Sequence, residues 1–121
     1  MANTFKVVTF AAEPNSAGTP YKMYTCASGT TTVVLGLILT NINTSAVTAE
    51  VELVSTTSSR GGANNVANGT SFLIKDVSIP TGSSLEILSG GKVVLEAGDK
   101  IQIDCSVADK LSGTLSIMEI T

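Results

Sequence analysis

The chain has no histidine and no tryptophan, two cysteines, and few charges: 14% of its 121 residues are Asp, Glu, Lys or Arg. Each scarcity excludes something or weighs against it. Without histidine there is no Ser-His or Cys-His nucleophile system. Two cysteines with no imidazole make a poor zinc site. Seven cations scattered through a chain of net charge −3 form no basic patch, which argues against nucleic acid as a partner. No apolar run approaches the roughly 18 residues of a membrane-spanning helix. Aromatics are 4% of the chain, which weighs against, without excluding, the stacking platforms of a sugar-binding surface. The start, MANTFKVVTF, has neither the charged opening nor the long apolar centre of a signal peptide, so synthesis in a cytoplasm without export is expected.

Serine and threonine fill the gap left by charge, with 14 Ser and 16 Thr. Threonine is β-branched and keeps a sheet face wet without ionising. Residues 92–107, KVVLEAGDKIQIDCSV, set the pattern. An apolar run ends at Leu95, and a Glu96-Ala97-Gly98-Asp99 turn follows. Then Ile101, Ile103, Cys105 and Val107 alternate with Gln102, Asp104 and Ser106. Period two means a strand with one buried and one wet face. Nine such segments are expected, at 4–10, 20–27, 31–41, 46–54, 71–77, 84–88, 92–96, 100–107 and 113–120. Turns at Pro14–Gly18, Ser28-Gly29, Pro80–Gly82, Gly90-Gly91 and Gly98-Asp99 separate them. No amphipathic helix appears. The expected fold is a single all-β domain over 1–121, an antiparallel sandwich or jelly roll. Val51, Leu53, Ile101, Ile103, Leu115 and Ile117 are its predicted core.

Three stretches break the plain pattern. From Val33 to Leu39 the chain is apolar in both phases, so both faces need cover, from a partner or from the chain itself. Its outward members, assigned here as Val34 and Ile38, are candidate interface residues. The last strand changes phase between Ile117 and Ile120, which suggests a bulge or an end contact. Residues 55–70, STTSSRGGANNVANGT, have no period at all. This is either a partner-binding loop, with Arg60, Asn64 and Asn65 as candidates, or a flexible insertion.

No catalytic, cofactor-binding or metal-ligating set emerges. Glu50 and Glu52 share a strand face about 7 Å apart, a glycosidase-like separation. Yet nothing apolar flanks them to raise a carboxyl pKa, so a solvated face is expected. Asp104 and Asp109 flank a turn but are too few for calcium, which takes six to eight oxygens. The two glycine pairs precede no helix that could cradle a phosphate. Cys26 and Cys105 are expected as free thiols in a reducing cytoplasm, with a disulfide open as the alternative in a mature particle.

The segments MANTFK, YTCASGTTTVVLGLILTNINTS, IKDVSIPTGSSLEILSGGKVVLEAGDKIQI and LSIMEIT resemble small virion structural proteins of tailed marine phages, especially cyanophages. The resemblance spans most of the chain except 55–70, and departs from the family at Cys26, where a proline is expected. It implies a non-enzymatic β-sandwich subunit of the virion, made in the host cytoplasm. It further implies association with itself, as a homotrimer or another symmetric oligomer, and with the major capsid protein or another virion protein. A capsid decoration or cement role is the first expectation. A neck or tail appendage, or a carbohydrate-binding adhesin, is the alternative.

Overall fold

The period-two runs fold as strands throughout the computed structural model, which describes residues 2–55, 69–88 and 91–121. In chain order they are β1 (Asn3–Glu13), β2 (Tyr21–Thr25), β3 (Thr31–Asn41), β4 (Val47–Val54), β5 (Thr70–Ile79), β6 (Ser84–Glu86), β7 (Val93–Leu95), β8 (Lys100–Cys105) and β9 (Leu111–Ile120). All pairings are antiparallel, and there is no helix among the described residues. The front sheet runs β1-β9-β3, with β6 and β7 sharing the far edge of β3; the back sheet runs β2-β8-β4-β5. Strands β1 to β4 alternate front and back, and β8 and β9 do the same. That is a jelly-roll winding.

The inward positions of both sheets make one core. Val34, Leu37, Leu39, Leu111, Leu115 and Ile117 come from the front; Val47, Ala49, Val51, Ile101 and Ile103 come from the back. The predicted core residues are there, with Leu53 packed against it from a half-buried position. Val107 is not: β8 ends at Cys105, the alternation ends with it, and Val107 is exposed. The turn before β8 forms as its residues suggest. Gly98 takes φ +90°, and Asp99 accepts the Glu96 amide at 3.0 Å while its own amide reaches Glu96 O at 2.9 Å. Buried Asn41 ties the β3–β4 connection down. Its side chain donates to Ser45 O and Ile79 O and accepts the Asn43 amide.

Two sequence expectations need correction. The phase change expected in the last strand is absent: β9 stays in register with β1 from Gly113 to Ile120. The irregularity lies opposite, in β3, where pairing jumps from Val34↔Ile117 to Gly36↔Ser116 and leaves Leu35 as the extra residue. That bulge inverts the phase of β3. Before it even-numbered residues point inward, after it odd-numbered ones do, so Val34 lies fully in the core while Ile38 is 42% exposed. Val34 is therefore not an interface residue. Elsewhere β9 packs through its smallest residue. Phe10 faces Gly113 across the β1–β9 ladder, and its ring occupies the space a Gly113 side chain would need. The same ring meets Tyr21 of the back sheet edge-on, centroids 5.3 Å apart.

Cys26 and Cys105 are both buried free thiols. Thr25 pairs with Lys100, and Cys105 lies five residues further along β8. Cys26 falls one residue beyond that pair, opposite Asp99, so at about 3.3 Å per residue the two cysteines lie roughly 20 Å apart, far beyond the Cα separation of a disulfide. Burial also raises the Cys105 thiol above its ordinary pKa, with a smaller contribution from Asp104.

Two outcomes follow. Ile103→Ala should lose about 2–5 kcal/mol in urea unfolding, as a large-to-small change at a fully buried site does; a loss under about 0.5 kcal/mol would place Ile103 at the surface. Thiol titration of the purified chain should find both cysteines reactive after denaturation without reductant. Finding neither reactive would mean an intermolecular bond or another cap.

Candidate functional site

The two outer faces of the sandwich differ in kind. On the back sheet, β4 turns Thr48, Glu50 and Glu52 outward beside Asp104 and Gln102 of β8, since directly opposed residues share a face. These groups engage one another. Lys75 pairs with Glu50 at 3.2 Å, Gln102 Nε2 donates to Glu52 at 3.0 Å, and Lys75 also lies 4.5 Å from the centre of the Phe72 ring. Glu50 and Glu52 thus form part of a solvated polar face, as their pattern implied. Asp104 accepts the amides of Gly18 and Cys105. Among the described residues no three His, Cys, Asp or Glu side chains are placed to hold a metal ion.

The front sheet is nearly bare of charge. Its outward positions form cross-strand rows. Phe5, Met118, Val33 and Val94 stand side by side on β1, β9, β3 and β7. The next row is Val7, Ser116 and Gly36, and the next Thr9, Thr114, Ile38 and Glu86. Glu86, at the β6 margin, is the one charged residue in these rows. Phe5 is 71% exposed, Val7 64% and Val94 52%. Because the middle row is small, Phe5, Val7 and Leu35 wall a shallow depression of about 300 Å³ that Ser116, Ile117 and Lys6 also line. The exposed apolar side chains thus stand in adjacent rows, as one contiguous patch.

Of the sequence candidates, Ile38 belongs to this face and Val34 lies beneath it. Arg60, Asn64 and Asn65 lie outside the described residues. The loop's ends are described: Ser55 donates its amide to Gly69 O at 2.8 Å, closing the β4–β5 ladder. Phe5 and Val7 were not singled out in the sequence. The signal was present in TFKVVTF, apolar in both phases like β3, with Val8 and Phe10 inward and Phe5 and Val7 outward.

A polar clasp closes one end of the sandwich beneath this face. Glu119 is the inward residue near the end of β9, and Tyr24 of the back sheet donates to its Oε2 at 2.6 Å. Lys6 pairs with the other oxygen at 2.7 Å. Thr32 Oγ1 lies 2.7 Å from the Tyr24 hydroxyl and 3.3 Å from Cys26 Sγ. The Lys6 ammonium, and then the Tyr24 hydroxyl, hold the Glu119 carboxyl below its ordinary pKa. Burial, and then the bond to Glu119, push Tyr24 up to about 12. The clasp links the two sheets, and its Lys6 borders the depression on the front face.

No protein-family description matches the chain, and no curated protein matches it. Among solved structures it is similar to a chain from Bacillus endospore appendages, described there as a novel family of disulfide-linked pili. The identity is 16% and the TM-score 0.49, over 99% of this chain and 87% of that one.

The clasp predicts a pH signature. A raised tyrosine pKa contributes stability that is complete below the unfolded value near 10 and is lost as pH rises towards 12. Tyr24→Phe should cost about 1 kcal/mol at neutral pH and should flatten the decline between those limits. The depressed Glu119 contributes above the ordinary carboxylate range, and that part fades as pH falls. Urea unfolding of both proteins from pH 4 to 12 checks this; parallel profiles above pH 10 would remove Tyr24 from the account.

Proposed function

We propose that this chain is a non-enzymatic structural subunit of a tailed-phage virion, a decoration or cement subunit that bridges neighbouring shell subunits. The observation that carries the associating role is the contrast between the two outer faces. One face is dressed in paired charges; the other presents Phe5, Val7, Val33, Leu35, Ile38, Met118 and Val94 with Glu86 only at its margin. A shell surface that covers the neutral face leaves the charged face to water. The cost of desolvation there is small, because threonine, serine and apolar side chains replace ions. The virion is supported by the sequence resemblance alone.

A neck or tail appendage would use the same face on a different part of the particle. An adhesin draws less support. Phe5 and Phe72 are both exposed but lie on opposite sheets, and Tyr24 is engaged in the clasp.

Co-sedimentation with particles lacking the subunit tests the proposal. Wild type should bind saturably. Ile38→Lys puts a charge in the neutral face and should weaken binding at least tenfold, with stability within about 1 kcal/mol of wild type. Glu52→Lys on the opposite sheet should bind normally. Absence of wild-type binding to any particle surface would end this reading, and imaging of decorated particles separates head from neck and tail.

A further inference from the structure

The free edge of β1 is built for pairing. Ala2 and Thr121 exchange both backbone hydrogen bonds, at 3.1 and 3.0 Å. In an antiparallel ladder such pairs alternate with pairs whose amides and carbonyls point away. The register is unbroken from Asn3↔Ile120 to Phe10↔Gly113. Thr4, Lys6, Val8 and Phe10 therefore bond to β9, and Asn3, Phe5, Val7 and Thr9 direct their backbone groups outward. Among the described residues no strand receives them.

The other sheet edges carry the usual protections against such pairing. β6 and β7 are three residues long. β2 is five residues with an irregular step between Lys22 and Tyr24. The β4–β5 pairing shifts register twice, and β5 carries Lys75 and Asp76, the latter at φ +51°. From Asn3 to Phe10, β1 has no proline, no bulge and one charge, and that charge is tied to Glu119.

We propose that a second copy of this chain pairs with β1, antiparallel and edge to edge across a two-fold axis at Val7, joining two front sheets into one. This rests on the structural-subunit reading and names its first partner. The outward backbone groups sit on odd-numbered residues, so only registers that pair odd with odd residues form bonds. Centring the axis on Lys6 would set two like charges directly opposite, which is unfavourable. Centring it on Phe5 uses only Asn3 to Val7 of the strand. Centring it on Val7 pairs Val7 with its copy and Phe5 with the copy's Thr9, and uses the whole regular stretch from Thr4 to Phe10. Each Phe5 then lies diagonal to the other copy's Val7, so the most exposed apolar side chains of both copies form one cluster. A bare strand edge covers less than the roughly 800 Å² per partner of a standard interface, and this doubled apolar cluster adds to what the ladder buries. The arrangement is isologous and closes at two copies, not three.

The test uses the full chain. Sedimentation analysis should give twice the 12.3 kDa chain mass for wild type. Val7→Pro removes an amide that bonds to nothing within its own chain, so the mass should halve while the circular dichroism spectrum stays that of a β protein. Val7→Cys brings two thiols about 5.5 Å apart between Cα atoms, within disulfide range. It should oxidise to a covalent dimer, whereas Phe5→Cys, opposite threonine, should not. If Val7→Pro unfolds, this crosslinking contrast decides alone. A wild-type monomer at high concentration with no Val7→Cys crosslink overturns the inference, and so does a Val7→Pro dimer. If monomeric wild type still binds particles, the edge pairing is wrong and the structural reading stands; if it neither dimerises nor binds particles, both fail.

Discussion

One extra residue in β3 governs the rest of the molecule. β3 runs through the middle of the front sheet, with β9 on one side and β6 and β7 on the other. A strand of eleven residues in strict alternation would bury one phase and wet the other. Leu35 has no partner in the ladder, so the strand changes phase at that point. The change lets Val34 serve the core from one half of the strand and Leu37 and Leu39 from the other. It also lifts Val33, Leu35 and Ile38 onto the outer face. Gly36, beside the bulge, has open space where a side chain would stand, and Leu35 itself lines the depression beside Phe5 and Val7. Core continuity and the apolar outer surface thus have one origin.

The scarcity of charge gains meaning once it is mapped. The same number of ions spread evenly would leave both sheets weakly protected against association. Among the described residues, all the carboxylates and ammonium groups but those of Glu13 of β1 and Glu86 of β6 lie on the back sheet, at the clasp or in turns and loops. The front rows receive threonine, serine and aliphatic side chains instead. Individually such exposed apolar groups are ordinary. Their alignment in adjacent rows across four strands is what separates a patch from scatter.

Much of this was legible in the sequence because a half-buried strand writes its own period. The nine strands fall close to the predicted segments, and the Glu96–Asp99 turn forms as its residues suggest. What escaped was phase. Val34 and Ile38 have the same parity, so alternation alone put them on one face; a bulge is a property of two strands in register and leaves little trace in one of them. Ile117 and Ile120 gave the mirror-image error. Their odd spacing suggested a break in β9, whereas Glu119 occupies the inward place there because Tyr24 and Lys6 satisfy it. Such satisfaction depends on residues 95 and 113 positions away in the chain, beyond the reach of local pattern. The interface candidates Arg60, Asn64 and Asn65 lie outside the described residues.

The free edge and the neutral face adjoin, and that adjacency has an energetic consequence. Phe5 and Val7 belong to both: their side chains stand in the apolar rows, and their backbone groups point out of the ladder. Joining two copies at β1 would make one continuous surface of the two faces. A bivalent subunit binds a repetitive lattice with the second contact intramolecular, so the avidity of the pair can exceed either single contact by about 10²–10⁴-fold without any new contact. Each face could then stay weak enough to spare the lone chain from indiscriminate aggregation. The gain depends on geometry: it exists only where the lattice repeat matches the separation of the two faces, and it vanishes on a surface without that repeat. Selectivity for an ordered shell over other apolar surfaces would follow from symmetry, with no strong contact required of any one side chain.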